Sequence, residues 1–163
     1  MLKYFSSNAT NKVDGKGRVS IPAPFRKVLQ GEESPILFLM PEINGAPTIV
    51  GYGLSHFENL AASLTRMNPF SEEYDALSDA VSGQAHQLPL DETGRIVLPR
   101  ELREYADIGD EAFFIGKLNV FQIWNPAAYA ARRPGIKEMA RANVDKLDWT
   151  GGGVARRVGE GDA

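Results

Sequence analysis

The chain has 163 residues, 43% of them apolar and 24% charged, with 18 Lys plus Arg against 21 Asp plus Glu for a formal charge of −3. This is the composition of an ordinary folded protein with enough chain for a real core, and no apolar run suits a membrane span or a secretory leader. The absence of cysteine excludes disulfides, thiolate metal sites and cysteine nucleophiles.

The charge is unevenly spread. Residues 1–30 carry Lys3, Lys12, Lys16, Arg18, Arg26 and Lys27 against Asp14 alone, whereas residues 31–92 carry ten acids and one base, Arg66. From residue 93 onward the signs nearly balance. A mildly acidic chain therefore still offers a basic end to a polyanion.

In chain order, the first punctuated segment is Val13-Asp14-Gly15-Lys16-Gly17-Arg18, a turn in which Asp14 accepts backbone hydrogen bonds and Gly17 permits a positive φ. Val19-Ser20-Ile21 follows as a strand, ended by Pro22 and Pro24, and Phe25, Val28 and Leu29 mark one side of a short helix. Strands are predicted at Ile36–Met40 and Thr48–Tyr52. Ser55 and Glu58 form a capping box for a helix whose buried face is Phe57, Leu60, Leu64 and Met67. Asn68-Pro69 opens another helix, with Tyr74, Leu77 and Val81 facing inward, and the two helices pack as a hairpin.

The first pattern then returns. Leu90-Asp91-Glu92-Thr93-Gly94-Arg95-Ile96-Val97-Leu98-Pro99 repeats Val13 to Pro22 at an offset of 77 residues without a gap. Arg103 matches Arg26, and Leu102, Tyr105 and Ala106 mark the equivalent helix. Ala112–Ile115 and Val120–Trp124 match the two earlier strands, and Tyr129 follows Trp124 at the interval by which Phe57 follows Tyr52. Two repeats are thus expected, at 8–67 and 84–133, joined by a linking helix at 68–83. An amphipathic helix follows at 134–149, carrying Ile136, Met139, Ala140, Val144 and Leu147, and then a mobile tail at 150–163.

Catalytic chemistry has little to work with. His56 and His86 are too far apart for a local metal site, and Glu32-Glu33 and Glu72-Glu73 read as solvated faces. Gly15-Lys16-Gly17-Arg18 resembles part of a phosphate loop but precedes a strand, whereas a P-loop follows one. No enzyme activity, metal, cofactor or small-molecule substrate is expected.

The same turn suits a duplex. A turn has no use for a guanidinium at Arg18 or Arg95, although either could bridge to the Asp four residues earlier. Arg26 and Arg103 are open to two readings, as cations for a polyanion or as partners of a nearby acid. Asp14, Gly17, Asp91 and Gly94 are read as the turn formers. Glu92 and Thr93 stand where the first loop has Gly15 and Lys16, so the first loop is the better anion binder.

Two Asp-x-x-Gly-Arg-x-x-x-Pro-x-x-x-Arg motifs in one chain, with Met67-Asn68-Pro69 between them, resemble the MraZ family of bacterial transcriptional regulators, which carry a duplicated SpoVT-AbrB-type domain. The resemblance implies an α+β fold in which two AbrB-like swapped-hairpin β-barrel repeats sit in one chain with pseudo-two-fold symmetry, plus amphipathic helices between and after them. It implies a homo-oligomeric ring that binds repeated boxes in double-stranded DNA and represses the division and cell-wall gene cluster, its own gene included. A cytoplasmic location on the nucleoid, away from membranes, goes with this. Arg18 is expected to read a base, Lys16 and Lys12 to touch phosphate, and Arg95 to contribute less. The alternative is an AbrB-like antitoxin-type module that neutralises a partner protein.

Overall fold

The computed structural model describes residues 3–151, so the expected tail lies almost wholly outside the described residues. The chain divides into two compact units, one reaching Ala128 and one beginning at Tyr129. The first is α+β. Its elements are β1 (Asn8–Lys12), β2 (Arg18–Ser20), α1 (Ala23–Gln30), β3 (Ile36–Pro41), β4 (Ile49–Tyr52), α2 (Leu54–Thr65), α3 (Glu72–Ser78), β5 (His86–Pro89), β6 (Arg95–Val97), α4 (Arg100–Tyr105), β7 (Glu111–Lys117) and β8 (Val120–Trp124).

Six strands make one antiparallel sheet in the order β1-β7-β8-β4-β3-β5, and β2 pairs with β6 in a separate antiparallel ribbon. The strands of the two repeats are interleaved. β1 runs against β7 from Asn8↔Ile115 to Lys12↔Glu111, and β5 runs against β3 from Ile36↔Pro89 to Leu39↔His86. The ribbon is centred on Val19↔Ile96, two residues that occupy the same motif position. At the centre of the sheet Val50 faces Gln122.

Strand alternation sorts the apolar residues. Leu37, Leu39, Ile49, Phe114, Phe121 and Ile123 turn to one side of the sheet, where they meet Val19, Ile21 and Ile96 of the ribbon, Phe25 and Leu29 of α1, and Leu102 of α4. Phe38, Met40, Val50 and Tyr52 turn to the other side and pack against Phe57, Leu60 and Leu64 of α2 and Val81. Phe38 stacks on Phe57 with ring centroids 4.4 Å apart. β3 is thus buried on both faces, which accounts for its unbroken apolar run.

Several expectations are corrected. The predicted unit lacks β1 and β5, because both are short, partly exposed edge strands, β1 polar but for Ala9 and β5 with Leu88 its one large aliphatic side chain, so apolar patterning marks them weakly. α2 starts at Leu54 with Gly53 as N-cap, and no capping box forms. The Ser55 hydroxyl instead donates to Glu32 Oε1 at 2.7 Å, a long-range partner that outcompetes the local one. Asn68-Pro69 makes a turn, with Phe70 N–H donating to Asn68 Oδ1, and Ser71 caps α3 by accepting from Tyr74 N–H at 3.1 Å. Of that segment's inward residues only Val81 is fully buried. Tyr105 is partly exposed, and its hydroxyl lies within donating distance of the Glu42 and Ala46 carbonyls, at 3.1 and 3.0 Å.

The second unit is built on α5 (Pro126–Ala142), which begins in the first, followed by a 3-10 turn at Val144–Lys146. The helix runs unbroken through Pro134, where the sequence reading places the boundary between the second repeat and the helix at 134–149. Proline removes one N–H donor there, and the flanking alanines and arginines are strong helix formers. Ile136, Met139, Val144 and Leu147 are all exposed.

Candidate nucleic-acid interface

The first loop is organised by one carboxylate. Asp14 Oδ1 accepts the backbone N–H groups of Lys16 and Arg18, each at 2.9 Å, while its Oδ2 accepts Arg18 Nε at 2.7 Å. The backbone closes the turn through Gly17 N–H to Asp14 carbonyl and Asp14 N–H to Arg18 carbonyl. Gly17 sits at φ +81°, a region that other residues adopt only with strain. The backbone hydrogen bond from Arg18, and then its side chain, lower the Asp14 pKa from 3.8 to about 2.

The second loop repeats this with one change. Asp91 Oδ1 accepts Thr93 N–H, Thr93 Oγ1–H and Arg95 N–H, each at 2.8 Å, and Gly94 lies at φ +78°. Arg95 Nε donates to the Thr93 hydroxyl at 3.1 Å and stands 3.7 Å from Asp91 Oδ2. The Thr93 hydroxyl thus stands in for the direct bridge. The Asp91 carboxyl is again lowered, first by the Arg95 backbone N–H.

The possible bridge to the Asp four residues earlier forms directly in the first loop, at 2.7 Å, and only loosely in the second, at 3.7 Å, and neither consumes its arginine. Only Nε is used, and the terminal nitrogens of Arg18 and Arg95 make no hydrogen bond among the described residues. The ribbon then brings the two together. Val19 and Ile96 point into the core, so their neighbours Arg18, Ser20, Arg95 and Val97 point outward, with Arg18 opposite Val97 and Ser20 opposite Arg95. The side chains of Arg18 and Arg95 are 42% and 44% exposed, which leaves both guanidinium groups open to an acceptor.

Arg18, Arg95 and Lys12 line one recess of about 590 Å³ beside the ribbon. Lys16 is exposed at the tip of the first loop, outside that recess. The recess also holds Asp110 and Glu111, which sequence reasoning misses. Their only signal is register: Lys12 lies opposite Glu111, and Val13 N–H donates to the Asp110 carbonyl. Lys12 therefore faces an acid across the strand pair, although the two form no ion pair among the described residues. The tip from Asp14 to Arg18 holds two cations and one acid, and that from Asp91 to Arg95 one cation and two acids.

Among the described residues Arg26 and Arg103 do not pair with an acid. Arg26 Nη1 donates to the Ile21 carbonyl at 2.8 Å, and Arg103 lies against Gly17. His56 packs edge-on to the Tyr52 ring, where burial lowers its pKa. Among the described residues no cluster of His, Asp and Glu could hold a metal, and no helix is long and apolar enough to cross a membrane.

The family model described as "MraZ protein, putative antitoxin-like" matches residues 81–147. The chain is 39% identical over 159 residues to the transcriptional regulator MraZ of Parvibaculum lavamentivorans, covering 93% of this chain and 99% of that protein. It is 39% identical over 143 residues to that of Gluconobacter oxydans, covering 86% and 87%, and 41% identical over 150 residues to that of Rhodospirillum rubrum, covering 88% and 92%.

Proposed function

The chain belongs to the MraZ family, and on that premise we propose that it is a sequence-specific DNA-binding transcriptional regulator whose grip is the outward face of the β2·β6 ribbon. The observation that carries this reading is the pair of exposed arginines on one face, each held by Nε with its terminal nitrogens unbound. A guanidinium oriented in that way can make the two parallel hydrogen bonds that guanine O6 and N7 accept, worth about 1–3 kcal/mol per pair.

Arg18 is the base reader, Lys16 and secondarily Lys12 contact phosphate, and Arg95 contributes less because its tip is net acidic. The interleaved strands support an AbrB-like swapped-hairpin barrel in which both motifs come from one chain, related by a pseudo-two-fold axis through Val19·Ile96 and Val50·Gln122. The repeats occupy residues 8–67 and 84–133, with the linking segment at 68–83 and the C-terminal helix at 134–149.

One ribbon offers few cations, so its affinity is low. Assembly into a closed ring multiplies it, since linked engagements raise the effective concentration of each successive ribbon. Exposed Ile136, Met139, Val144, Leu147 and Trp149 support self-association. The targets in this reading are repeated boxes upstream of the division and cell-wall cluster that includes its own gene, and the usual outcome is repression, in the cytoplasm on the nucleoid.

A gel-shift series on the DNA upstream of its own gene, with box-deleted controls, tests this. Arg18→Ala is expected to weaken specific binding by about tenfold or more, and Arg95→Ala by less. Unchanged affinity in Arg18→Ala rejects the assignment, and an equal or larger loss in Arg95→Ala overturns the ranking of the loops.

A further inference from the structure

In both copies of the motif the last arginine lies against the turn of the other copy. A Cβ placed on Gly17 would come within 3.3 Å of Arg103 Cζ, and one on Gly94 within 2.7 Å of Arg26 Nε and 2.9 Å of its Nη1. The backbone crosses in the same sense. Ile21 N–H donates to the Gly94 carbonyl and Leu98 N–H to the Gly17 carbonyl, each at 2.9 Å. Each turn is thus backed by a guanidinium and a strand end from the opposite repeat.

The two glycines therefore meet two demands. A positive φ favours glycine at each, and the missing side chain leaves room for an arginine. The two arginines are held differently. The Arg26 side chain bonds the Ile21 carbonyl, whereas the Arg103 side chain makes no hydrogen bond among the described residues and its Nε is buried without a partner. A buried polar atom left unpaired is unfavourable, so what Arg103 contributes at this turn comes from its packing against Gly17.

We propose that Arg103 and Arg26 are crossed positioning residues, Arg103 shaping the Asp14–Arg18 tip and Arg26 the Asp91–Arg95 tip. The DNA grip of the first loop then depends on a residue of the second repeat. The flat guanidinium supports the Gly17 peptide, next to the peptide that carries Arg18. Without it the turn settles inward, the Arg18 N–H turns away from Asp14, and the Arg18 side chain leaves the direction in which it meets the duplex. Lysine does not replace it, because an ammonium on a flexible stem has no plane to lay under a peptide. The functional half of this inference rests on the reading of the loops as DNA contacts. The structural half does not.

The experiment has two arms on the same full-length variants, Arg103→Ala and Arg26→Ala. In the first, NMR follows the side-chain titration of Asp14 and Asp91. Arg103→Ala is expected to raise the Asp14 pKa from about 2 toward 3.8 and leave Asp91 unchanged, and Arg26→Ala to raise Asp91 and leave Asp14 unchanged. Equal movement of both aspartates in either variant, or movement of the aspartate in the same repeat, overturns the proposal. In the second arm, Arg103→Ala weakens DNA binding by about tenfold with the salt dependence of affinity unchanged. A slope reduced by about 0.9 would make Arg103 a phosphate contact and overturn the positioning role. Added to Arg18→Ala, Arg103→Ala costs little more, whereas Arg26→Ala adds its own full effect. If Arg103→Ala does not fold, Arg103→Lys is read in both arms. Crossed aspartate shifts in a protein that ignores DNA would sink the proposed function and leave the positioning role standing; DNA binding without crossed shifts would do the reverse.

Discussion

Arg18 leaves the ribbon with its Nε 2.7 Å from Asp14, so that carboxylate decides where its terminal nitrogens point. The same carboxylate links the tip to pH. Its pKa is lower in the folded chain than the ordinary 3.8, so the ionised form stabilises the fold above that value, and the contribution is lost as pH falls toward about 2. Asp14→Asn should therefore unfold at lower urea than the parent at neutral pH, with the difference shrinking between pH 4 and 2. A difference independent of pH would contradict this. The two lysines are separable by salt. Lys16→Ala should reduce the slope of log affinity against log salt by about 0.9, and Lys12→Ala by less, because Glu111 stands opposite. Equal slopes in the two variants would contradict that ranking. Arg18, Arg95 and their turn formers are legible in the sequence because a duplicated turn needs no guanidinium. Asp110 and Glu111 are not, since only strand register brings them to the recess.

Among the elements, the central strands were readable and the edges were not. Ile36–Met40 and Val120–Trp124 announce themselves because most of their side chains are buried, whereas β1 and β5 are short edge strands, the first almost wholly polar and the second packing only Leu88 against the core. The Ser55 capping box failed for a related reason: its hydroxyl found Glu32, 23 residues away in sequence. At the centre of the sheet a Cβ on Gly51 would come within 2.8 Å of three carbons of the Phe121 ring. Gly51→Ala should therefore destabilise the fold by about 1–3 kcal/mol through overpacking, read as a lower denaturation midpoint. A neutral result would mean that β4 and β8 are looser than described. At α3, Ser71→Ala removes a real cap and should cost about 1 kcal/mol.

At the scale of the molecule, a net charge of −3 coexists with a proposed DNA-binding face because the charge is segregated. The acids between residues 31 and 92 belong to other segments of the sequence than the first loop, whose own tip is cationic. The repeat was legible at this scale because duplication preserves spacing, and the pairing of Val19 with Ile96 is that duplication read in space. The interleaving of strands was not legible from local patterns, since both β1 and β5 were missing from the predicted unit. A single ribbon with so few cations binds weakly, so the proposed regulator depends on several ribbons meeting one duplex together. The direct test is affinity for DNA carrying one box, two boxes about 10 base pairs apart, or two boxes offset by a further half turn. The predicted result is a large gain from the second box in phase and its loss when the box is moved to the opposite face. Equal affinity for all three fragments would contradict it.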